Sequence, residues 1–99
     1  MRDDISLSSV VVVAEDQLST DLDGEAVTLA LKSGRYYSLN DTGTRIWNLV
    51  QEPRTVNEIR DVILAEYEVD PELGQNDLLA ILKDLATKGL IEVRDGSDG

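Results

Sequence analysis

Hydrophobic positions recur at every second residue in the first half of the chain and at every third or fourth in the second half, the period changing near residue 40. Val10 to Val13 is a short β-branched run and reads as a buried strand. Gln17 to Gly24 is rich in carboxyl and hydroxyl side chains and predicts a loop. From Glu25 to Leu31 the chain alternates, with Val27, Leu29 and Leu31 on one face and Ala26, Thr28 and Ala30 on the other. Lys32-Ser33-Gly34 supplies a tight connection. Arg35 to Leu39 then returns as the partner strand, with Tyr37 and Leu39 on one face and Tyr36 and Ser38 on the opposite one.

The longer period predicts three helices. Asn40 or Asp41 can cap the first, whose apolar stripe is Ile46, Trp47, Leu49 and Val50, with Pro53 beyond its end. Thr55-Val56-Asn57-Glu58 has the spacing of a capping box and opens a second helix carrying Ile59, Val62, Ile63 and Tyr67. Asp70-Pro71-Glu72 is expected to break the chain. Asn76 or Asp77 then starts the third helix, with Leu78, Leu79, Ile81, Leu82, Leu85 and Ala86 turned inward. Lys88-Gly89 is a helix-stop signal, and Leu90 to Val93 can add a last extended segment.

Strands followed by helices predict an α+β fold of winged helix-turn-helix type: a small three-stranded antiparallel sheet followed by three α-helices. The 99 residues suffice for one domain, placed at 10–93, with flexible tails at 1–9 and 94–99. Composition then narrows the chemistry. The chain has no Cys and no His, which removes thiol and imidazole catalysis and the usual zinc ligands. Carboxylates alone remain, and the acidic stretch Glu15, Asp16, Asp21, Asp23, Glu25 lacks the spacing of a calcium loop. No cofactor and no enzymatic activity are expected. The formal charge of -11 opposes contact with nucleic acid and with anionic membrane surfaces, so a winged-helix transcriptional regulator is disfavoured despite the architecture. No apolar run is long enough to span a membrane and no signal peptide opens the chain, so a cytoplasmic protein is expected.

Three segments carry a resemblance: Gly34-Arg35-Tyr36-Tyr37-Ser38-Leu39-Asn40-Asp41-Thr42-Gly43-Thr44-Arg45-Ile46-Trp47, then Arg54 to Ile59, then Leu78 to Leu82 with Leu85 and Gly89-Leu90-Ile91. In this order they resemble the PQQ-biosynthesis protein D family, also described as the RiPP recognition element, which handles ribosomally made, post-translationally modified peptides. The similarity spans roughly residues 24–93 and is greatest to the stand-alone members of lasso-peptide gene clusters. It implies a non-catalytic domain that binds the leader segment of a precursor peptide and delivers it to a processing enzyme. In lasso clusters that enzyme is a transglutaminase-like leader peptidase, with a lasso cyclase as a further partner. In the PQQ pathway it is a radical-SAM enzyme. The leader would join the third strand as an added antiparallel strand and rest in a groove beside the third helix.

The residues fit that mode on physical grounds, since a sheet ending at Arg35–Leu39 leaves unpaired main-chain groups that an extended peptide can satisfy. The expected peptide-binding residues are Arg35, Tyr36, Tyr37, Ser38, Leu39, Asp77, Leu78, Ile81 and Leu82. Each has a plainer alternative. Adjacent tyrosines point to opposite faces, so one belongs to the core. The leucine stripe is of the kind that usually serves only as core. Asp77 and Asp84 suit a solvated helix face as well as a basic leader residue, and Arg35 either guards a sheet edge or pairs with a leader carboxylate. Trp47, the only Trp, is read as a core anchor.

Overall fold

The computed structural model describes residues 5–94. The elements in chain order are β1 (Val10–Val13), β2 (Gln17–Leu22), β3 (Glu25–Ala30), β4 (Arg35–Ser38), α1 (Asp41–Leu49), β5 (Arg54–Thr55), α2 (Val56–Glu66), α3 (Pro71–Thr87) and β6 (Ile91–Arg94). The strands form two antiparallel sheets, in the orders β5-β1-β6 and β2-β3-β4. The architecture is the expected α+β with a three-stranded antiparallel sheet ahead of three helices, but Val10–Val13 lies outside that sheet.

Its place is taken by β2, in the segment expected to be a loop. The reason lies in the turn: Asp23 and Gly24 both have positive φ, 55° and 86°, and close a two-residue hairpin onto β3. An Asp-Gly pair is a strong signal for a turn whose twist matches the flanking strands. Most of β2 is exposed, so it lacks the alternating hydrophobicity that would identify it.

Two further boundaries differ from expectation. The third helix begins at Pro71, not near Asn76: Asp70 caps it, its carboxylate accepting from the Glu72 and Leu73 amides at 3.2 Å each. Proline suits the first helical position because its fixed φ is helical and the amide it lacks would have no partner there. At the N-terminus, residues 5–9 pack onto the fold, contrary to the expectation of a tail. Ser9 is buried, and the Leu7 and Ser9 carbonyls accept from the Asn57 and Val56 amides at the start of α2. Arg94, also assigned to a tail, pairs with Val10 in β6. The remaining tail residues, 1–4 and 95–99, lie outside the described residues.

The core gathers Val11 and Ile91 from the β1 sheet, Ile46, Trp47 and Val50 from α1 and its end, Ile59 and Ile63 from α2, and Leu78, Leu82 and Leu85 from α3. Trp47 is an anchor as expected. From the β2-β3-β4 sheet only the small Ala26, Thr28 and Ala30 are buried. This is the opposite face from the larger Val27, Leu29 and Leu31, so small side chains let the sheet approach the helices closely. Helices α2 and α3 also meet closely: a Cβ at Gly74 would come within 2.8 Å of Leu64 and 2.9 Å of Val69. Arg45 and Glu66 join α1 to α2 through two parallel hydrogen bonds of 2.8 and 2.7 Å. The Arg45 hydrogen bond holds the Glu66 carboxyl below its usual range.

Candidate peptide-binding edge and groove

The site begins with how β4 is held. Its register pairs Ala30 with Arg35, Leu29 with Tyr36, Thr28 with Tyr37 and Val27 with Ser38. One position further, the Leu39 amide donates to the Ala26 carbonyl at 2.9 Å. Antiparallel partners exchange hydrogen bonds at alternate residues, so Arg35, Tyr37 and Leu39 direct their main-chain groups toward β3. Tyr36 and Ser38 direct theirs away from it. Among the described residues no strand pairs with that outer edge.

The end of the ladder is closed by a helix side chain. Thr44 of α1 accepts from the Ala26 amide at 2.9 Å and donates to the Leu39 carbonyl at 3.2 Å, inserting its hydroxyl between β3 and the residue following β4. Asn40 caps α1, accepting from the Gly43 amide at 2.8 Å. A Cβ at Gly43 would lie 3.2 Å from the Asn40 oxygen and 3.3 Å from the Leu39 Cβ, so this turn favours glycine. The Ser38–Thr44 segment thus fixes the strand end and the helix start relative to each other.

Side chains follow the same alternation. Arg35, Tyr37 and Leu39 share the face toward the helices; Tyr37 and Leu39 are half-buried against the core and Arg35 is exposed. The Lys88 ammonium, just past α3, sits 4.7 Å from the centre of the Tyr37 ring, placing the end of that helix beside β4. Tyr36 is 71% exposed and lies on the outer face of the sheet, where Leu18, Leu22 and Leu31 are exposed as well. Of the two adjacent tyrosines, Tyr37 therefore faces the helices and Tyr36 the outer side of the sheet.

On α3, Asp77, Ile81, Asp84 and Lys88 follow one another at spacings of three or four, along one line of the helix. Asp77, Leu78 and Ile81 line an apolar pocket of about 110 Å³ with Thr42 and Ile46 of α1 and Tyr67 at the end of α2. Thr42 stands four residues beyond Ser38, so the pocket opens by the C-terminal end of β4. Within this group Leu78 is 2% exposed and forms the pocket floor, while Ile81 is half-buried at its wall. Leu82 has no exposed surface and stands in the core, so the expectation that it lines the groove is corrected: it supports Ile81 from behind. A second pocket of about 240 Å³ lies at the other end, between the Lys32-Ser33 turn and Lys88-Gly89. Both are smaller than the roughly 300–1,000 Å³ typical of small-molecule sites.

Among the described residues no group of His, Cys, Asp or Glu is arranged to hold a metal ion, and no helix is long and apolar enough to cross a membrane. The acidic positions Glu15, Asp16, Asp21, Asp23 and Glu25 are all exposed, as solvated side chains at strand ends and turns. The pocket residues outside the expected set include Thr42, Ile46 and Tyr67: the sequence reading places Ile46 and Tyr67 in helix stripes and Thr42 only in the resembling run. Only the packing of three helices brings them to one pocket.

Among solved structures, the chain is similar to TbiB1 in complex with the TbiA(beta) leader peptide, with 40% identity and a TM-score of 0.77 over 82% of this chain and 94% of that one. It has the fold of a lasso peptide synthetase B1 complexed with its leader peptide, at 23% identity and a TM-score of 0.74 over 83% of this chain and 96% of the other. It is also similar to the PqqD truncation of Methylobacterium extorquens PqqCD, described as a stand-alone RiPP recognition element. That match has 27% identity and a TM-score of 0.72, covering 89% of this chain and 94% of that one. A search of curated protein sequences finds no match. The family profile described as coenzyme PQQ synthesis protein D matches residues 25–91, from the start of β3 through the first residue of β6, and the chain belongs to the PqqD family.

Proposed function

We propose that this protein binds the leader segment of a ribosomally made precursor peptide and presents it to a processing enzyme, carrying out no chemistry of its own. The observation that carries the proposal is the outer edge of β4, where Tyr36 and Ser38 turn unpaired main-chain groups outward beside Tyr37, Ile81 and the α1–α3 pocket. An extended peptide added there gains up to four main-chain hydrogen bonds. At roughly 0.5–1.5 kcal/mol net each, these would be largely offset by ordering a flexible peptide. Side chains seated against Tyr37, Leu39 and Ile81 and in the pocket supply the rest of the affinity. The peptide-binding set is thus Arg35, Tyr36, Tyr37, Ser38, Leu39, Asp77, Leu78 and Ile81.

The run Gly34–Trp47 followed by Arg54–Ile59 resembles the stand-alone members of lasso-peptide clusters, which favours a lasso-type pathway, with a transglutaminase-like leader peptidase as the enzyme served and the cyclase as a further partner. In a PQQ-type pathway the same edge would serve a radical-SAM enzyme. The exposed face of α3 argues against DNA as the ligand: Glu72, Asp77 and Asp84 stand there, and Lys88 is held by Asp84 at 2.8 Å. Such a helix would be repelled by phosphates. The test is a fluorescence-polarisation titration with the labelled leader of the precursor encoded beside this gene. Saturable binding with a Kd of about 1 µM or tighter, equivalent to about -8 kcal/mol, is expected. Absence of binding overturns the proposal.

A further inference from the structure

Antiparallel partners at a hydrogen-bonded position exchange two main-chain bonds. Ala26 and Leu39 make only one directly, from the Leu39 amide to the Ala26 carbonyl at 2.9 Å. The return bond is relayed by the Thr44 hydroxyl, which accepts from the Ala26 amide at 2.9 Å and donates to the Leu39 carbonyl at 3.2 Å. A helix side chain thus stands in for a ladder bond and holds the two backbones one oxygen further apart. Regular pairing of β4 with β3 ends at Ser38, and α1 begins at Asp41.

The same hydroxyl lies on the opposite side of α1 from the pocket. At about 100° per residue, positions four apart share a helix face and the position midway between them points the other way. Thr42 and Ile46 line the pocket, and Thr44 between them reaches the sheet. Thr44 is 9% exposed, and its hydroxyl finds both a donor and an acceptor inside the protein. Against side chains as small as Ala26 and Ala30, a helix held by packing alone can slide. Hydrogen bonds weaken steeply as their angle departs from linear, so the two at Thr44 fix where α1 sits on the sheet.

We infer that Thr44 is a positioning residue of the binding site. It sets the distance from the outer edge of β4 to the α1–α3 pocket, and with it the number of peptide residues between the strand-paired segment and the side chain that fills the pocket. A peptide held at both places cannot change that number by one without emptying the pocket or turning its strand-paired side chains to the wrong face. The inference rests on the leader-binding reading and adds what fixes the spacing of its two contacts.

The test uses the labelled TbiA(beta) leader peptide and versions with one glycine inserted, or one residue removed, at each position in turn. If that leader does not bind, the leader encoded beside this gene replaces it. Fluorescence polarisation gives Kd for the native protein, Thr44→Ser, Thr44→Val and Gly43→Ala, and Tm is recorded for each. In the native protein one short stretch of the leader should tolerate no change of length. Valine keeps the shape of threonine and loses both hydrogen bonds. Thr44→Val should therefore weaken the unmodified leader up to about tenfold, as the site must then be ordered on binding, and should flatten the spacing profile. Thr44→Ser keeps the hydroxyl and should restore both. Gly43→Ala keeps the hydrogen bonds but sets a Cβ 3.3 Å from that of Leu39 and 3.2 Å from the Asn40 oxygen, and should alter the profile less strongly.

A lower Tm in Thr44→Val with native Kd and native spacing profile marks a purely structural residue and overturns the inference. A native profile that is flat along the leader, or Thr44→Ser behaving as Thr44→Val, overturns it too. Should Thr44→Val not fold, an unchanged profile in Gly43→Ala does the same. All of these leave leader binding standing, whereas failure of both leaders to bind the native protein removes that reading as well.

Discussion

The two sheets of this protein have the same number of strands and very different surroundings. The β5-β1-β6 sheet is built into the core. Val11 is fully buried, Ile91 nearly so, the Val13 amide donates to the carbonyl of Val50, and that of Ala14 donates to Leu90. The β2-β3-β4 sheet touches the core only through Ala26, Thr28, Ala30 and the half-buried Tyr37 and Leu39. Its outer face shows Leu18, Leu22, Leu31 and Tyr36, and both of its edge strands lack partners among the described residues. The first sheet holds the helices in place, and the second is left able to accept another strand. Open sheet edges are liabilities that proteins usually blunt. Here one of them, that of β4, borders the groove beside α3 where the leader is proposed to pair.

Changes to the two regions should separate stability from binding. The largest effect on stability is expected for Leu82→Ala, a loss of about 2–5 kcal/mol by chemical denaturation, because the side chain is fully enclosed. The folded fraction should still bind the leader. Ile81→Ala, one residue away at the pocket wall, should do the reverse, costing little stability and weakening the leader Kd. Next comes Thr44→Val. It leaves the Ala26 amide without its acceptor and unties α1 from the β3–β4 end, for about 1–3 kcal/mol.

Proline at the outer edge tests the binding region without touching the ladder. Tyr36→Pro and Ser38→Pro each remove an outward donor while leaving the bonds to β3. Leader affinity should fall about tenfold or more with the fold retained, since one main-chain bond is lost and the ring obstructs the edge. If both variants fold and bind normally, the strand-addition mode is wrong. The smallest effect concerns Arg45 and Glu66, which join α1 to α2 and are not among the residues lining the pocket. The folded Glu66 carboxyl ionises below its usual range, so its contribution is fully present at neutral pH. It fades as the solution is acidified through the ordinary glutamate range to the lower folded value. The difference in Tm between the native protein and Glu66→Gln should shrink on acidification, with leader affinity at neutral pH unchanged.

Much of this was legible in the sequence where local chemistry dominates. The alternation in Glu25–Leu31, the Thr55–Glu58 capping box and the Gly89 helix stop all act within a few residues, and each element forms where its signal lies. β2 was obscured because an exposed strand needs no apolar alternation, although the Asp23-Gly24 pair marked its turn. The start of α3 was misplaced because Asp70-Pro71 reads as a break when it is a cap followed by a favoured first residue. The groove was legible only in part. Which tyrosine faces inward depends on register, and whether Ile81 or Leu82 is accessible depends on how three helices meet. Neither is written in the period of one helix.

The central claim, that the leader joins β4 as a further strand, is tested most directly by amide hydrogen exchange with and without saturating leader. The amides of Tyr37 and Leu39 are already bonded to β3 and should be protected in both states. Those of Tyr36 and Ser38 should exchange rapidly in the free protein and become protected when the leader is bound. Ser19 and Asp21, which face outward from β2, should stay unprotected throughout. Protection appearing at Ser19 and Asp21 instead, or none at Tyr36 and Ser38 with leader bound, would contradict the account.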